Sequence, residues 1–350
     1  MKARNLVYVV VCASFLALGA LALASPPAGG YHLLKKIPLG AAPGGGEYFD
    51  YITFDAPTRR VYLSHGTEIK VMDADSYEVV GTISGLKRSH GVAIVRDLNK
   101  GFVTDGDAEK VLVFDLKTFK ITGEIKSYPD TDSIVYDPAS KLVFTFNGDS
   151  KNSTVIDPAK DAAVKAIDLG GAVEFPVADG KGMVYDNNEE KNDVAAIDTK
   201  TLTVKARYPV APAGTPVAMA MDRQHRRLFS SGRGPQMLVI MDADNGKVVQ
   251  SFPISAGVDA NVFEPETGML FVSTREGKIH IYHEDTPDKF SEVETVNTEY
   301  GAKTMAVDPK THNLFLTTAD FGQPPAPTKE RPNPQRPPIP GTFRVLVYGK

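Results

Sequence analysis

The chain has 350 residues, 42% apolar and 23% charged, with a formal net charge of −4. These values suit a globular protein with a large core and exclude wholesale disorder, while the acidic balance disfavours general binding to nucleic acids or anionic membranes.

Residues 1–24 begin MKARN and continue as an apolar run from Leu6 to Ala24, closing on the small-x-small pattern Ala22-Leu23-Ala24 before Ser25-Pro26-Pro27. This predicts a secretory signal peptide cleaved after Ala24, and so a periplasmic or secreted protein. An uncleaved anchor is the alternative, because the run is near bilayer-spanning length. Cys12 is the only cysteine and lies inside this run, without the small residue before it that a lipoprotein box requires. The mature chain therefore has no cysteine, which removes disulfides, zinc thiolate sites and thiol nucleophiles. It keeps 37 basic against 43 acidic side chains, about −6, and no membrane span.

From residue 25 onward the sequence repeats itself. YITFDAPTRRVYLSH (51–65), TDSIVYDPASKLVFTFN (131–147), VAMAMDRQHRRLFSSG (217–232) and KTMAVDPKTHNLFLTT (303–318) share one plan: a short apolar strand ending near Asp, a polar turn, and a Val-Tyr or Leu-Phe strand. A third strand such as IKVMD or VLVFD and a fourth such as EVVGTI follow. First strands end at Asp55, Val95, Asp137, Asp179, Asp222, Glu264 and Asp308, at spacings of 40 to 44 residues. Seven four-stranded units of this length predict an all-β, seven-bladed β-propeller of antiparallel blades, one domain over 25–350, expected to be a monomer. Third strands end at Asp73, Asp115, Asp157, Asp198 and Asp242, where an Asp side chain can bind backbone N–H groups of the next turn. The last repeat ends on FRVLVYGK, a third strand, so its fourth must come from YHLLKKIPLG (31–40), closing the ring and removing exposed edges.

The DP–VYLS–V–V–D–V-I skeleton and the ending PPIPGTFRVLVYGK make the chain similar to the YVTN-repeat propellers, more narrowly the extracytoplasmic YncE-like proteins. The resemblance spans the mature chain and implies fold and compartment; it carries no shared catalytic residue set. The absence of tryptophan argues against WD40 and quinoprotein blades, and seven scattered histidines against a multi-histidine copper centre.

Function should lie where equivalent positions diverge. Five residues before each first-strand end stand Asp50, His90, Asp132, Glu174, Val217, Asp259 and Lys303. Six are ionisable, above an apolar wall that includes Ile52, Ile134, Met219 and Met305. Three readings stay open: a solvated ring, a site for a small polar ligand or protein segment, or a divalent cation, calcium or magnesium, held by Asp132, Glu174 and Asp259. Second-strand ends on the same face supply a further set, His65, Asp105, Asn147 and Asn188, with Arg233 and Arg275 in adjoining loops. The last repeat also carries a loop over 322–341 with eight prolines, on the same face. Its composition favours extended polyproline structure, a flap or a tether.

Other motifs fail on geometry. His280 and His283 sit three apart on a strand and point to opposite faces, His225 belongs to a solvated turn on the far face, and the glycines of PGGGEY lead into a strand, not a helix. No cofactor is required by any motif. A binding module for a small polar ligand or partner segment is the leading expectation. The alternatives are a lactonase-like metal-dependent hydrolase using Asp50, Asp132, Glu174, Asp259 and Asn147, and an envelope scaffold docking partners through the Pro-rich loop.

Overall fold

In a computed structural model, the described residues are 29–350 apart from 330, 331 and 333; the signal-peptide expectation for 1–24 lies outside them. Seven sheets of four antiparallel strands are formed, each from one sequence repeat except the last. Blade 1 runs Ile52–Asp55, Arg60–His65, Glu68–Asp73 and Val79–Ser84; blades 2 to 6 begin at Ser89, Thr131, Val173, Pro216 and Val258. First strands of successive blades touch one another around a closed circle, with Met305–Val307 of blade 7 returning to Ile52–Asp55. They therefore line the central channel, and position along the chain sets position around it.

Middle strands are buried on both faces and read as continuous apolar runs: Val61, Leu63, Val143, Phe144, Leu228 and Phe229 have no exposed surface. Outer strands face solvent on one side, so Val79–Ser84 and Ala162–Asp168 remain partly exposed. The core consists of apolar layers between neighbouring blades, as where Phe144 and Val155 of blade 3 pack with Val184 and Ala195 of blade 4.

The turns follow one recipe. In most blades the residue four past the first-strand end is left-handed, with φ of 55° at Arg59, 57° at Arg226 and 60° at His312 and with Gly268 in that place in blade 6; in blade 4 the positive φ falls instead on Gly180 and Gly182. All five third-strand aspartates end their strands and bind the turn that follows; Asp115 Oδ1 accepts from Lys117 N and Thr118 N at 3.0 and 2.8 Å, and Asp198 repeats the pattern. Asp179 and Asp308 fall one residue past their strands and bind turns in the same way.

Closure is as the sequence predicts. The fourth strand of the last blade is His32–Gly40, paired antiparallel with Phe343–Gly349 from His32↔Gly349 to Gly40↔Phe343. Among the described residues, no helix is long and apolar enough to cross a membrane.

Candidate functional site

The six ionisable ring positions converge on one cavity of about 430 Å³ at a mouth of the channel. Each enters from the start of a different blade, so the site is assembled by ring closure. Val217, the seventh position, is buried and apolar. In its sector the cavity wall is Arg233, at the end of strand Arg227–Arg233.

The ring is held by internal ion pairs. His90 Nδ1 lies 2.8 Å from Asp50 Oδ2 and 2.7 Å from Asp132 Oδ1, and Tyr48 donates its hydroxyl to Asp50 at 2.7 Å. Lys303 bonds Asp259 and reaches Asp50 Oδ1 at 3.4 Å, while Arg233 pairs with the other Asp259 oxygen. Burial opposes the charge on His90, but Asp132 and Asp50 outweigh it and lift the imidazole to about 10. It is an imidazolium at neutral pH. Lys303 is likewise held above its ordinary value, against desolvation, by Asp259 and Asp50. Asp50 is driven well below the usual carboxylate range, burial notwithstanding, by Lys303 and His90.

Glu174 differs from its neighbours. Among the described residues it has no cation within ion-pair distance; its closest polar contacts are the Tyr51 hydroxyl at 3.5 Å and the Glu189 carboxyl. Desolvation, reinforced by Asp132, pushes its carboxyl well above the ordinary range.

The sequence reading missed several wall residues. Tyr48, Arg88, Asp130 and Gly301 all line the cavity, each two residues before a ring position. That constant offset was the available signal. Glu47, Phe49, Phe321, Gln335, Arg336 and Pro338 also line it, so the C-terminal half of the Pro-rich segment forms part of the wall. It is fastened there by an antiparallel bridge between Phe321 and Pro338, by Arg275 donating to Gln335 Oε1 at 2.8 Å, and by Arg336 stacked over the Tyr300 ring at 5.2 Å.

Of the further set, Arg233 and Arg275 line the cavity and the other four do not. His65 bonds Glu47 at 2.5 Å and stacks on Phe343 at 4.0 Å between ring centres. Asp105 accepts the backbone N–H groups of Lys87 and Arg88, both at 2.9 Å. Asn147 joins Ser127, Asn152 and Thr154, and Asn188 binds Leu169 O, Gly171 O and Lys191 N. All four are fully or almost fully buried. Their polar atoms hold the loops that carry the ring.

Below the ring the channel changes character. A second cavity of about 430 Å³ is lined by Ile52, Ile134, Met219 and Met305 and other apolar side chains together with Thr53, Ser133, Arg223 and Asn261, and Tyr51 borders both chambers. The charged ring thus lies over a bore with the apolar positions the sequence indicated, interrupted by a few polar groups. Elsewhere, His280 is buried against Ser255 while His283 reaches Asp285 at the surface, so the two do not converge. His225 is less free than the sequence implied: its Nδ1 lies 2.7 Å from Asp222 and 2.8 Å from Glu284.

No family model matches the chain and no curated protein matches it. Among solved structures, a chain of Kuenenia stuttgartiensis hydrazine synthase is similar, with a TM-score of 0.67 over 77% of this chain and 92% of that one, at 14% identity. At that identity the likeness carries the fold alone.

Proposed function

We propose that this protein is an exported, non-catalytic binding module that holds a small polar ligand at the ring end of its channel. One observation carries the reading: side chains from all seven blades, with a segment of the Pro-rich loop, enclose a single cavity of about 430 Å³, a size typical of small-molecule sites. The finer placement among YVTN-repeat, YncE-like propellers is part of the same proposal and rests on the repeat skeleton.

The divalent-cation reading draws less support. Ligand atoms of Asp50, His90 and Asp132 do lie within 4.8 Å of one another, yet the protonated imidazole occupies the space between those carboxylates, and the Lys303 ammonium occupies that between Asp50 and Asp259. A lactonase-like mechanism is weakened further because Asn147 is committed to Ser127, Asn152 and Thr154. The scaffold reading keeps the exposed stretch of the Pro-rich loop, residues 323–329, as its surface.

The test is a thermal-shift screen of purified residues 25–350 against sugars, amino acids, organic acids and nucleosides, followed by calorimetry. A ligand at a hundred times its Kd should stabilise the fold by about 2.7 kcal/mol, and Arg275→Ala should remove that gain. A screen with no shift, or a shift unaffected by Arg275→Ala and Glu174→Gln, rejects the site. Export is checked separately by the N-terminal sequence of the protein recovered from cells, expected to begin at Ser25.

A further inference from the structure

The charges at the channel mouth are not distributed evenly around it. Because the blades follow one another in a closed circle, blade 3 faces blades 6 and 7 across the channel, and blade 4 faces blades 7 and 1. Asp130 and Asp132 stand at the entry to blade 3 and Glu174 at the entry to blade 4. Among the described residues none of the three has a lysine or arginine within 4.0 Å; Asp132 is met only by His90. Across the cavity lie Arg275 from blade 6, and Lys303 and Arg336 from blade 7, while the two lining arginines that flank the acids are engaged, Arg88 over the Tyr48 ring and Arg233 with Asp259. Arg275 is bound to an amide and Arg336 to an aromatic ring, and neither has a carboxylate partner among the described residues. Lys303 is shared between Asp50 and Asp259.

An acidic wall thus faces a basic wall across the cavity, with no ion pair joining the two among the described residues. A low-dielectric rim focuses the field between such walls. A ligand with one charge would satisfy one wall and desolvate the other without compensation. Tyr48, Tyr51 and Phe321 supply apolar surface between the walls for the body of a ligand.

We propose that the cavity selects a small zwitterion, an ammonium and a carboxylate joined by a short chain, with the ammonium toward Asp130, Asp132 and Glu174 and the carboxylate toward Arg275 and Arg336. This rests on the ligand-binding reading above and narrows it to a chemical class. The guanidinium groups match a carboxylate in bidentate geometry, and the acidic groups with the Tyr51 hydroxyl oxygen accept from an ammonium.

The experiment is calorimetric titration of the mature chain with a homologous series of α- to ε-amino acids and betaines. Each is paired with the carboxylate lacking the amine, the amine lacking the carboxylate, and the neutral hydroxy-amide. At least one zwitterion should bind tenfold or more tightly than both of its singly charged homologues. Arg275→Gln should cost that zwitterion tenfold and leave the amine homologue unchanged; Glu174→Gln, or Asp130→Asn should Glu174→Gln fold poorly, should likewise cost that zwitterion tenfold and leave the carboxylate homologue unchanged. Equal binding of a zwitterion and either singly charged homologue overturns the inference but keeps the cavity as a polar site. If only neutral solutes bind, the two-wall reading also falls while the site stands. If nothing in the series or the wider screen binds, the ligand-binding reading itself fails.

Discussion

The two faces of the propeller disc carry similar residues and use them differently. On the face away from the ring, four of the six acids at first-strand ends are met by a base from the first turn of the next blade, while Asp222 is met by His225 of its own turn and Asp137 by no base among the described residues. Arg59 of blade 1 binds Asp308 of blade 7 with two hydrogen bonds of 2.9 and 2.7 Å, Arg96 of blade 2 meets Asp55, Arg226 of blade 5 meets Asp179 at 3.1 Å, and His312 of blade 7 meets Glu264 at 2.8 Å. At the blade 2–3 boundary the acid is replaced by Val95, and no such pair forms among the described residues. Charge on that face is matched locally and acts as stitching between blades. At the ring mouth, Asp130 and Glu174 face the Arg275 and Arg336 guanidiniums across a cavity, with no ion pair between them among the described residues. Local neutralisation marks a structural role, and separation across solvent marks a surface that meets something else.

Perturbations should sort by face. The largest effect lies in the seam that both faces share: removing residues 31–40 leaves blade 7 with three strands and an open edge, and cooperative melting should be lost. A melting curve like that of the full mature chain would dismiss the closure argument. Next comes Arg59→Ala, which strands the buried Asp308 carboxylate and should cost about 3 kcal/mol in urea unfolding while leaving ligand affinity unchanged. Despite burial, Arg59 brings Asp308 from 3.8 to about 2. A depressed native pKa gives stability that is present above the unfolded value and lost as pH falls through the native one. The difference between wild type and variant should therefore shrink between about pH 4 and pH 2.

Combining Arg275→Gln with Glu174→Gln should act the other way round, abolishing small-ligand binding with little change in melting temperature. Loss of fold together with ligand would mean that the mouth charges are stitching as well. The smallest effect belongs to Asp186, on a middle strand of blade 4, whose two carboxyl oxygens are buried without hydrogen-bond partners. Desolvation pushes it well above its ordinary value, so its contribution is intact below the unfolded pKa and erodes as pH rises toward the native one. Asp186→Asn should be neutral near pH 4 and increasingly stabilising as pH rises toward 7; a flat difference across that range would show that the carboxyl is already ionised.

Much of this was legible in the sequence because repetition reports on itself. Seven first strands at nearly constant spacing, five of them closing on aspartate, set the blade count, and the missing last strand announced its replacement at 31–40. The polar ring was readable because one offset from each strand end picks out one height in the channel. Tyr48, Arg88 and Asp130 obeyed the same logic two residues earlier. His65, Asp105, Asn147 and Asn188 were harder to place, because chain position gives a face and not a direction. Backbone N–H and C=O groups of adjoining loops had to be satisfied, and for Asp105 and Asn188 that demand used up the very atoms a ligand would have needed. The long Pro-rich loop gave its face but not its course, since no periodicity records where an extended segment lies down.

The closing strand has a mechanical consequence. His32 is paired with Gly349, so the two ends of the folded unit sit side by side at one edge of the seam. Tension applied through them loads the antiparallel hydrogen bonds one after another, like a zipper drawn from its tab, instead of shearing all of them at once. A ring closed by this strand is then easily opened by a pull on its ends, and peeling would begin at the seam and pass blade by blade around the circle.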